Sequence, residues 1–530
     1  MMARTSSADP ITLGMLWNRL LAIVEEQAQV LMRTAFSPVV REAGDLSAGV
    51  FDASGRMLAQ AVTGTPGHVN SMAESVGHFL AAHPVATLRP GDVLLTNDPW
   101  LGTGHLNDFT VVTPVFLEGS CIALFAATSH IADVGGRGFG ADAGEVYEEG
   151  LCIPVTHLFR AGVRDETLMR ILHANVRDPV VAQGDLYSLT ACNDAGATAL
   201  LTMLAEYPDV SLADLSDHIV DTSRQAMLAE IAGLPHGVWE QDMWIDGYDK
   251  PLRLACRLTL DGQQIALDFS GSAAASAFGI NVPMAYTAAY AAFGVRCVVG
   301  NDIPNNAGSL STISVTAPAG SLLNASRPRA VSARHAVGQM LPDVVLGCLA
   351  QVIPERVPAE GASCIWNPVF LGEGLSSAHP DVGRFVINPI FNGGTGARPG
   401  LPGLSATAFP SGVRSTSTEV NETTSPLVIW RKEYREGSGG AGRYPGGDGQ
   451  VIEIGHIAGR PFDVSKMFDR IRHPARGRDG GEDGAAGRVY LKSGSELRGK
   501  GRETVPAGET LVLETPGGGG LGQASSEGAH

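Results

Sequence analysis

Apolar residues recur at helical spacing between the Asp9-Pro10 pair and Thr34. Leu13, Leu16, Leu20, Ile23, Val24, Val30 and Leu31 form the stripe, with Arg19, Glu25 and Glu26 largely opposite. The pattern predicts one long helix, ended by Ser37-Pro38. It then changes to that of strands. LSAGVFD and RMLAQAV flank Ser54-Gly55 and predict a hairpin, with Asp45 at its open end. TGTPGHVN reads as a loop leading to a helix through Phe79, and Pro90-Gly91 turns the chain into the strand DVLLTND. Two apolar runs, 109–116 and 121–128, flank Leu117-Glu118-Gly119-Ser120 and predict a second hairpin. Helices are expected over 166–174, 179–206 and 211–234. Residues 237–267 alternate in the strand manner, so a lobe boundary is drawn near 236, and further helices are expected over 285–299 and 334–352. The expected fold is α+β: mixed and antiparallel sheets with flanking helices, in an N-terminal lobe (1–236) and a β-rich, glycine-dense C-terminal lobe (237–530).

The glycine of that second lobe is concentrated in FNGGTGARPG, REGSGGAGRYPGGDGQ and TPGGGGLG. A phosphate cradle would need a strand leading in and a helix leading out, or the Lys-Ser/Thr of a nucleotide loop. None is there, and turn chemistry is the reading preferred.

With 530 residues, 44% hydrophobic and 18% charged, the chain is long and apolar enough for a large core. A net charge of −17 disfavours nucleic acid and anionic membranes as partners, although 470–478 is locally basic. Seven scattered cysteines without a Cys-x-x-Cys pair suit free thiols in a reducing compartment. The opening MMARTSSADP lacks a secretory pattern, and a cytoplasmic location is expected.

Chemistry concentrates on the second hairpin. A turn centred near Glu118-Gly119 places Asp108 opposite Ser129 and gathers His105, Asp108 and His130 at the open end. Two imidazoles and a carboxylate suit zinc, manganese or iron. His-x-x-Asp also occurs at His130/Asp133 and at His218/Asp221, the last on a surface helix. Spacing alone therefore leaves a metal site and hydrogen-bonded hairpin polar groups both open. Glu145, Glu148 and Glu149 lie in a glycine-rich acidic loop and read first as solvated.

Several long segments resemble the hydantoinase B family: REAGDLS, GDVLLTNDPWLGTGHLNDF, SHIADVGG, NVRDP with GDL, IPNNAGSL, SRPRAVSARH, EGSGGAGRYPGG and TPGGGGLG. The family includes the metal-bearing subunits of ATP-dependent N-methylhydantoinase and caprolactamase, half of 5-oxoprolinase, and subunits of acetone and acetophenone carboxylases. The resemblance implies that Asp45, His105, Asp108 and His130 ligate one divalent transition metal. On chemical grounds Asp133 is a candidate to orient a ligand imidazole from behind, with a loop-capping carboxylate as the other reading. The resemblance also implies a separate hydantoinase A-type partner that uses ATP to phosphorylate the carbonyl oxygen of a cyclic amide (a hydantoin, 5-oxoproline or lactam). This chain would then hydrolyse the activated ring, within a dimer of heterodimers. The alternatives are a subunit of an ATP-dependent ketone carboxylase and a noncatalytic scaffold for the ATP-using partner. Residues 400–415 lack the Asp-Gly start of the family pattern, so no substrate contacts are assigned there.

Overall fold

The computed structural model describes residues 9–62, 64–376, 378–380 and 383–524. Asp9 caps helix α1 (Pro10–Thr34) by accepting from the Ile11 and Thr12 amides at 2.8 and 3.2 Å, with proline in the first turn. A single turn, α2 (Pro38–Arg41), separates it from the first hairpin, β1 (Leu46–Asp52) and β2 (Met57–Gln60). Helix α3 (Pro66–Ala82) follows, starting inside the segment read as a loop. Strands β3 (Val93–Thr96), β4 (Asp108–Leu117), β5 (Ser120–His130), β6 (Thr156–Arg160) and β7 (Val163–Arg164) complete a seven-stranded sheet. Its order is β2-β1-β5-β4-β3-β6-β7, antiparallel throughout. Helices α4 (Glu166–Asn175), α5 (Pro179–Glu206) and α6 (Leu212–Ala232) come next.

Both faces of this sheet are covered. Phe125 and Val115 pack with residues of α1 and α5, whereas their strand neighbours Leu124, Ala126 and Val112 pack with Val76 and Phe79 of α3. Double-sided burial is why the central strands read as unbroken apolar runs. The α1–α5 seam carries a buried polar pair: Gln27 Nε2 donates to Asn193 Oδ1 at 2.8 Å and to the Ala126 carbonyl at 3.1 Å.

Strands β8 (Gly237–Ile245), β9 (Leu252–Leu260), β10 (Ile265–Asp268) and β11 (Ile313–Thr316) form a second sheet, in which β11 runs parallel to β10. Helix α7 (Met284–Arg296) packs between this unit and α3. After a short α8 (Ala307–Leu310), the helix expected over 334–352 is two: α9 (His335–Gly338) and α10 (Leu341–Leu349). Pro342 lies in the first turn of α10 and cannot extend a continuous ladder. All of α10 is buried, so no polar face marked its ends.

Strands β12 (Val369–Glu373), β13 (Arg384–Ile387), β14 (Leu427–Tyr434), β15 (Gln450–His456), β16 (Phe462–Met467), β17 (Arg488–Leu491), β18 (Lys500–Val505) and β19 (Thr510–Glu514) make two more four-stranded sheets. These run β13-β12-β16-β18 and β14-β15-β19-β17 around a common core that includes Phe370, Ile454 and Leu513. The glycine-dense segments are packed against one another, not strung out as separate turns. Residues 393–404, 438–449, 476–484 and 516–522 lie side by side and bond backbone to backbone, as from Gly518 N to Gly447 O at 2.9 Å and from Gly447 N to Thr395 O at 2.9 Å. A Cβ on Gly394, Gly446, Gly518 or Gly520 would overlap a neighbouring carbonyl oxygen. Glycine is required there by close approach.

The molecule is α+β, with four mostly antiparallel sheets and flanking helices. All seven cysteines are free thiols. Among the described residues no helix is long and apolar enough to cross a membrane. In the basic run near 470, buried Arg470 pairs with Asp343 at 2.8 Å and with Glu360 at 3.2 Å, and Arg476 with Glu360 at 2.6 Å.

Candidate metal centre

The β4–β5 hairpin turns through Glu118 (φ 51°) and Gly119 (φ 82°), two left-handed residues as in a type I′ turn. The ladder starts with Leu117 opposite Ser120 and Phe116 opposite Cys121, then skips Ile122 so that Val115 faces Ala123. This bulge moves the remaining register by one residue. Asp108 consequently stands opposite His130, not Ser129 as the turn alone predicts. On the other side of β5, β1 pairs Leu46 with Ser129, and the His130 amide donates to the Asp45 carbonyl at 3.3 Å. Asp45, His130 and Asp108 therefore lie in one row across three neighbouring strands.

His105 arrives from the loop before β4. Asn97 ties that loop down, donating from Nδ2 to the Leu106 and Leu151 carbonyls and accepting from Ile153 N. Gly104 (φ 101°) packs on the Arg334 side chain, where a Cβ would come within 2.7 Å of Cδ. His105, Asp108 and His130 are all buried, and one ligand atom from each lies within 4.8 Å of the others. Phe139 stands edge-on to both imidazoles, at 5.6 and 5.1 Å between ring centres.

The two oxygens of Asp108 have separate partners. Oδ2 accepts from Thr103 Oγ1 at 2.7 Å, from His68 Nε2 at 2.9 Å and from Arg334 Nη2. Oδ1 faces His105 Nε2 at 2.6 Å and His130 Nδ1 at 3.4 Å. Burial would raise the Asp108 pKa, but the groups around it, with Arg334 the permanent cation among them, outweigh it and hold the carboxyl well below its ordinary range. Arg334 is buried as well; its Nε donates to the Thr103 carbonyl at 2.8 Å and its guanidinium lies 4.0 Å above the Tyr286 ring.

Asp45 lines the same pocket but stands outside the cluster of three. Its Oδ1 accepts from Thr65 Oγ1 at 3.2 Å and lies 3.5 Å from His68 Nδ1. His68 thus bridges the two carboxylates from the first turn of α3. Gly67 makes this possible by fitting against the rings of Tyr286 and Tyr290 on α7. Burial disfavours the charged form of His68, but Asp108 and Asp45 prevail and raise its pKa. Asp133 is directed elsewhere: it accepts from Gly135 N at 3.1 Å and pairs with Arg177 at 2.5 Å, a loop cap and not a support for a ligand imidazole.

Several groups here escaped the sequence reading. His68 lay in a segment read as loop, although Thr65-Pro66 is a helix-start signal. Arg334, Ser332 and His335 belong to SRPRAVSARH, a motif to which no role was given. Glu149 is 4% exposed, not solvated; its Oε1 accepts from the Val331 and Ser332 amides at 2.7 Å each. The Ser332 carbonyl in turn lies 3.0 Å from His105 Nδ1.

That last contact tests whether the residues suit a metal. Only an Nδ1–H can satisfy the Ser332 carbonyl, and a neutral imidazole has one proton. His105 Nε2 then presents a lone pair to Asp108 Oδ1 at 2.6 Å, a repulsive contact unless a cation lies between them. Burial and Arg334 lower the His105 pKa to about 3, so the ring does not supply that charge itself. His130 Nε2, moreover, is buried without a protein partner. The donors fit a divalent ion held by imidazole nitrogen and carboxylate oxygen. The enclosed space beside them, about 20 Å³, is enough for one water.

Relatives share the whole of this frame. An uncharacterized protein of Methanocaldococcus jannaschii is 29% identical over 527 residues, covering 97% of this chain and 91% of its own. A putative D-/L-hydantoinase subunit of a Pseudomonas strain is 27% identical over 542 residues, covering 97% and 90%. 5-Oxoprolinase 1 of Arabidopsis thaliana is 30% identical over 551 residues, but this chain spans only 42% of its length. Among solved structures, the ATP-dependent caprolactamase of Pseudomonas jessenii superposes with a TM-score of 0.89 at 24% identity, over 98% of this chain and 92% of that one. Acetone carboxylase gives 0.85 at 19% identity, over 97% and 76%. At these identities the two structures establish the shared fold. The hydantoinase B/oxoprolinase family model matches residues 9–524, and the chain belongs to that family.

Proposed function

We propose that this chain is the metal-dependent hydrolytic subunit of an ATP-dependent cyclic-amide hydrolase, paired with a separate ATP-binding subunit of the hydantoinase A type. The observation that carries the reading is the buried His105–Asp108–His130 cluster, in which His105 Nε2 lies 2.6 Å from a carboxylate oxygen while its Nδ1 faces the Ser332 carbonyl. Asp45 completes the proposed ligand set across the strand row. A divalent ion held there would supply Lewis acidity toward water and a carbonyl oxygen. The protein's own part is positional. Ser332 fixes the tautomer of His105, and Thr103, His68 and Arg334 hold Asp108 so that one oxygen stays directed into the site. His68 donates from Nε2 to Asp108 with its other nitrogen beside Asp45, and Phe139 shields the imidazoles from water.

An amide carbonyl is a poor electrophile, and phosphorylation of its oxygen by a partner would create a leaving group. Such an intermediate must be kept from bulk water, so a stable complex, taken here as a dimer of heterodimers, is part of the proposal. Elemental analysis, an ATPase assay of the chain alone, and ring-opening assays with the partner test it. One equivalent of metal, no ATPase alone and ATP-dependent ring opening in the complex are expected. Robust ATPase from the isolated chain, or carboxylation of a ketone with no ring opening, would overturn it.

A further inference from the structure

We propose that the part of this pocket lined by His335, Asn367 and Asn388 selects an uncharged cyclic amide or ureide through its N–H edge and rejects a ring carrying a carboxylate; this rests on the hydrolase reading above. Five side-chain polar atoms of the pocket lining are buried without a hydrogen-bond partner: His68 Nδ1 and His130 Nε2 beside the carboxylates and, from residues outside the proposed ligand set, His335 Nε2, Asn367 Oδ1 and Asn388 Oδ1. His335 is 4% exposed and Asn367 5%. Buried polar groups are nearly always paired, so orphans gathered in one pocket point to a ligand that pairs them. Amide oxygens accept, so the ligand brings N–H donors. The –CO–NH– edge of a lactam or hydantoin offers a donor and an acceptor side by side.

Beside these groups the pocket is apolar: Ile365, Ile390 and Val413 cluster with Ala43, all at most 6% exposed. That surface suits ring carbons. The enclosed part holds about one water, so the ring seats at the open side near half-buried Asn388, its reacting edge directed inward.

Charge decides the class. Among the described residues lining the pocket, Arg334 is the sole arginine or lysine, and it is committed to Asp108, the Thr103 carbonyl and the Tyr286 face. His68 is taken by Asp45 and Asp108. A substrate carboxylate would enter beside two aspartates with no side-chain cation to receive it. Carboxylate recognition ordinarily uses a free arginine fork, and an unpaired buried charge is costly.

The test uses the complex with its ATP-binding partner and a matched pair of rings, 5-oxoproline and its neutral amide, 5-oxoprolinamide. The neutral ring is expected to have at least a tenfold higher kcat/KM. Asn367→Leu and Asn388→Leu, close in volume, should raise KM for the neutral ring about tenfold while metal content stays full. If Asn367→Leu does not fold, the half-buried Asn388 position keeps the test. Asn388→Lys should shift the ratio toward 5-oxoproline. Equal or better use of 5-oxoproline by the unmodified complex, or folded Leu variants with unchanged KM, would overturn the subsite and leave the hydrolase reading standing. ATP-dependent opening of no ring at all would overturn both.

Discussion

Glu149 touches no proposed ligand, yet its removal is expected to weaken metal binding. The path is short and buried. Glu149 Oε1 accepts from Val331 N and Ser332 N at 2.7 Å each, and the Ser332 carbonyl fixes His105 Nδ1 at 3.0 Å. Glu149→Ala leaves two buried amides without an acceptor, at about 1–3 kcal/mol each. Part of that cost is relieved if the 331–332 peptide tilts, which takes the Ser332 carbonyl away from His105. Loss of such an outer partner lowers metal affinity about 10–100-fold. Glu149→Gln keeps the accepting oxygen. Burial has already raised the carboxyl pKa to about 8, so near neutrality the amide resembles the protonated acid it replaces. Competition with a fluorescent chelator measures affinity, and thermal unfolding of the metal-free chains separates it from stability. The expected result is weak binding for Ala and near-normal binding for Gln. Unchanged affinity in a folded Glu149→Ala chain would refute the coupling. Equal losses in Ala and Gln would show that charge, not the accepted hydrogen bonds, is what matters.

Asp45→Ala should strip the metal and abolish turnover with the fold intact; a full metal complement by elemental analysis would leave Asp45 only the task of holding His68. Arg334→Met breaks a buried ion pair and should cost the metal-free chain about 3–5 kcal/mol in urea unfolding. Gly518→Ala forces a Cβ onto the Thr395 carbonyl and should cost about 1–3 kcal/mol or prevent folding, read from soluble yield and melting temperature. Because Glu149 is raised from 4.5 to about 8, the folded chain holds that proton more tightly than the unfolded one. Stability should therefore fall as pH rises through that window, and the fall should flatten in Glu149→Gln.

The features legible in the sequence are those with local causes. The stripe from Leu13 to Leu31 and the cap at Asp9 place α1, and the alternation after residue 237 places the second sheet's strands. The register of β4 against β5 was off by one because the bulge at Ile122 has no residue signature; any apolar residue can occupy it. His105, Asp108 and His130 converge all the same, since all three sit at the hairpin's open end. The position of Asp45 depends on strand order, β1 beside β5, which is a long-range choice that spacing does not reveal. Glu149 and Glu148 are neighbours in one acidic loop, yet one is buried beneath residues 331–332 and the other pairs at the surface with Arg137. Only the later half of the chain, folding over the loop, separates them. The same holds for Arg334, which comes from beyond residue 236 to reach Asp108.

That contact explains how a buried carboxylate can await a metal without unfolding the lobe around it. Asp108 is fully enclosed, and an unpaired charge there would be strongly destabilising. Arg334, Thr103 and His68 all act on Oδ2, so the carboxylate is compensated from one side whether or not an ion is present. Oδ1 is left with two imidazoles, and at least one of them is held by its environment in the neutral form that a metal requires. One oxygen thus anchors the side chain and the other is kept for the ion. Deleting Arg334 and removing the metal should have different signatures for this reason: the first lowers the stability of the metal-free chain, and the second lowers activity with little change in the fold.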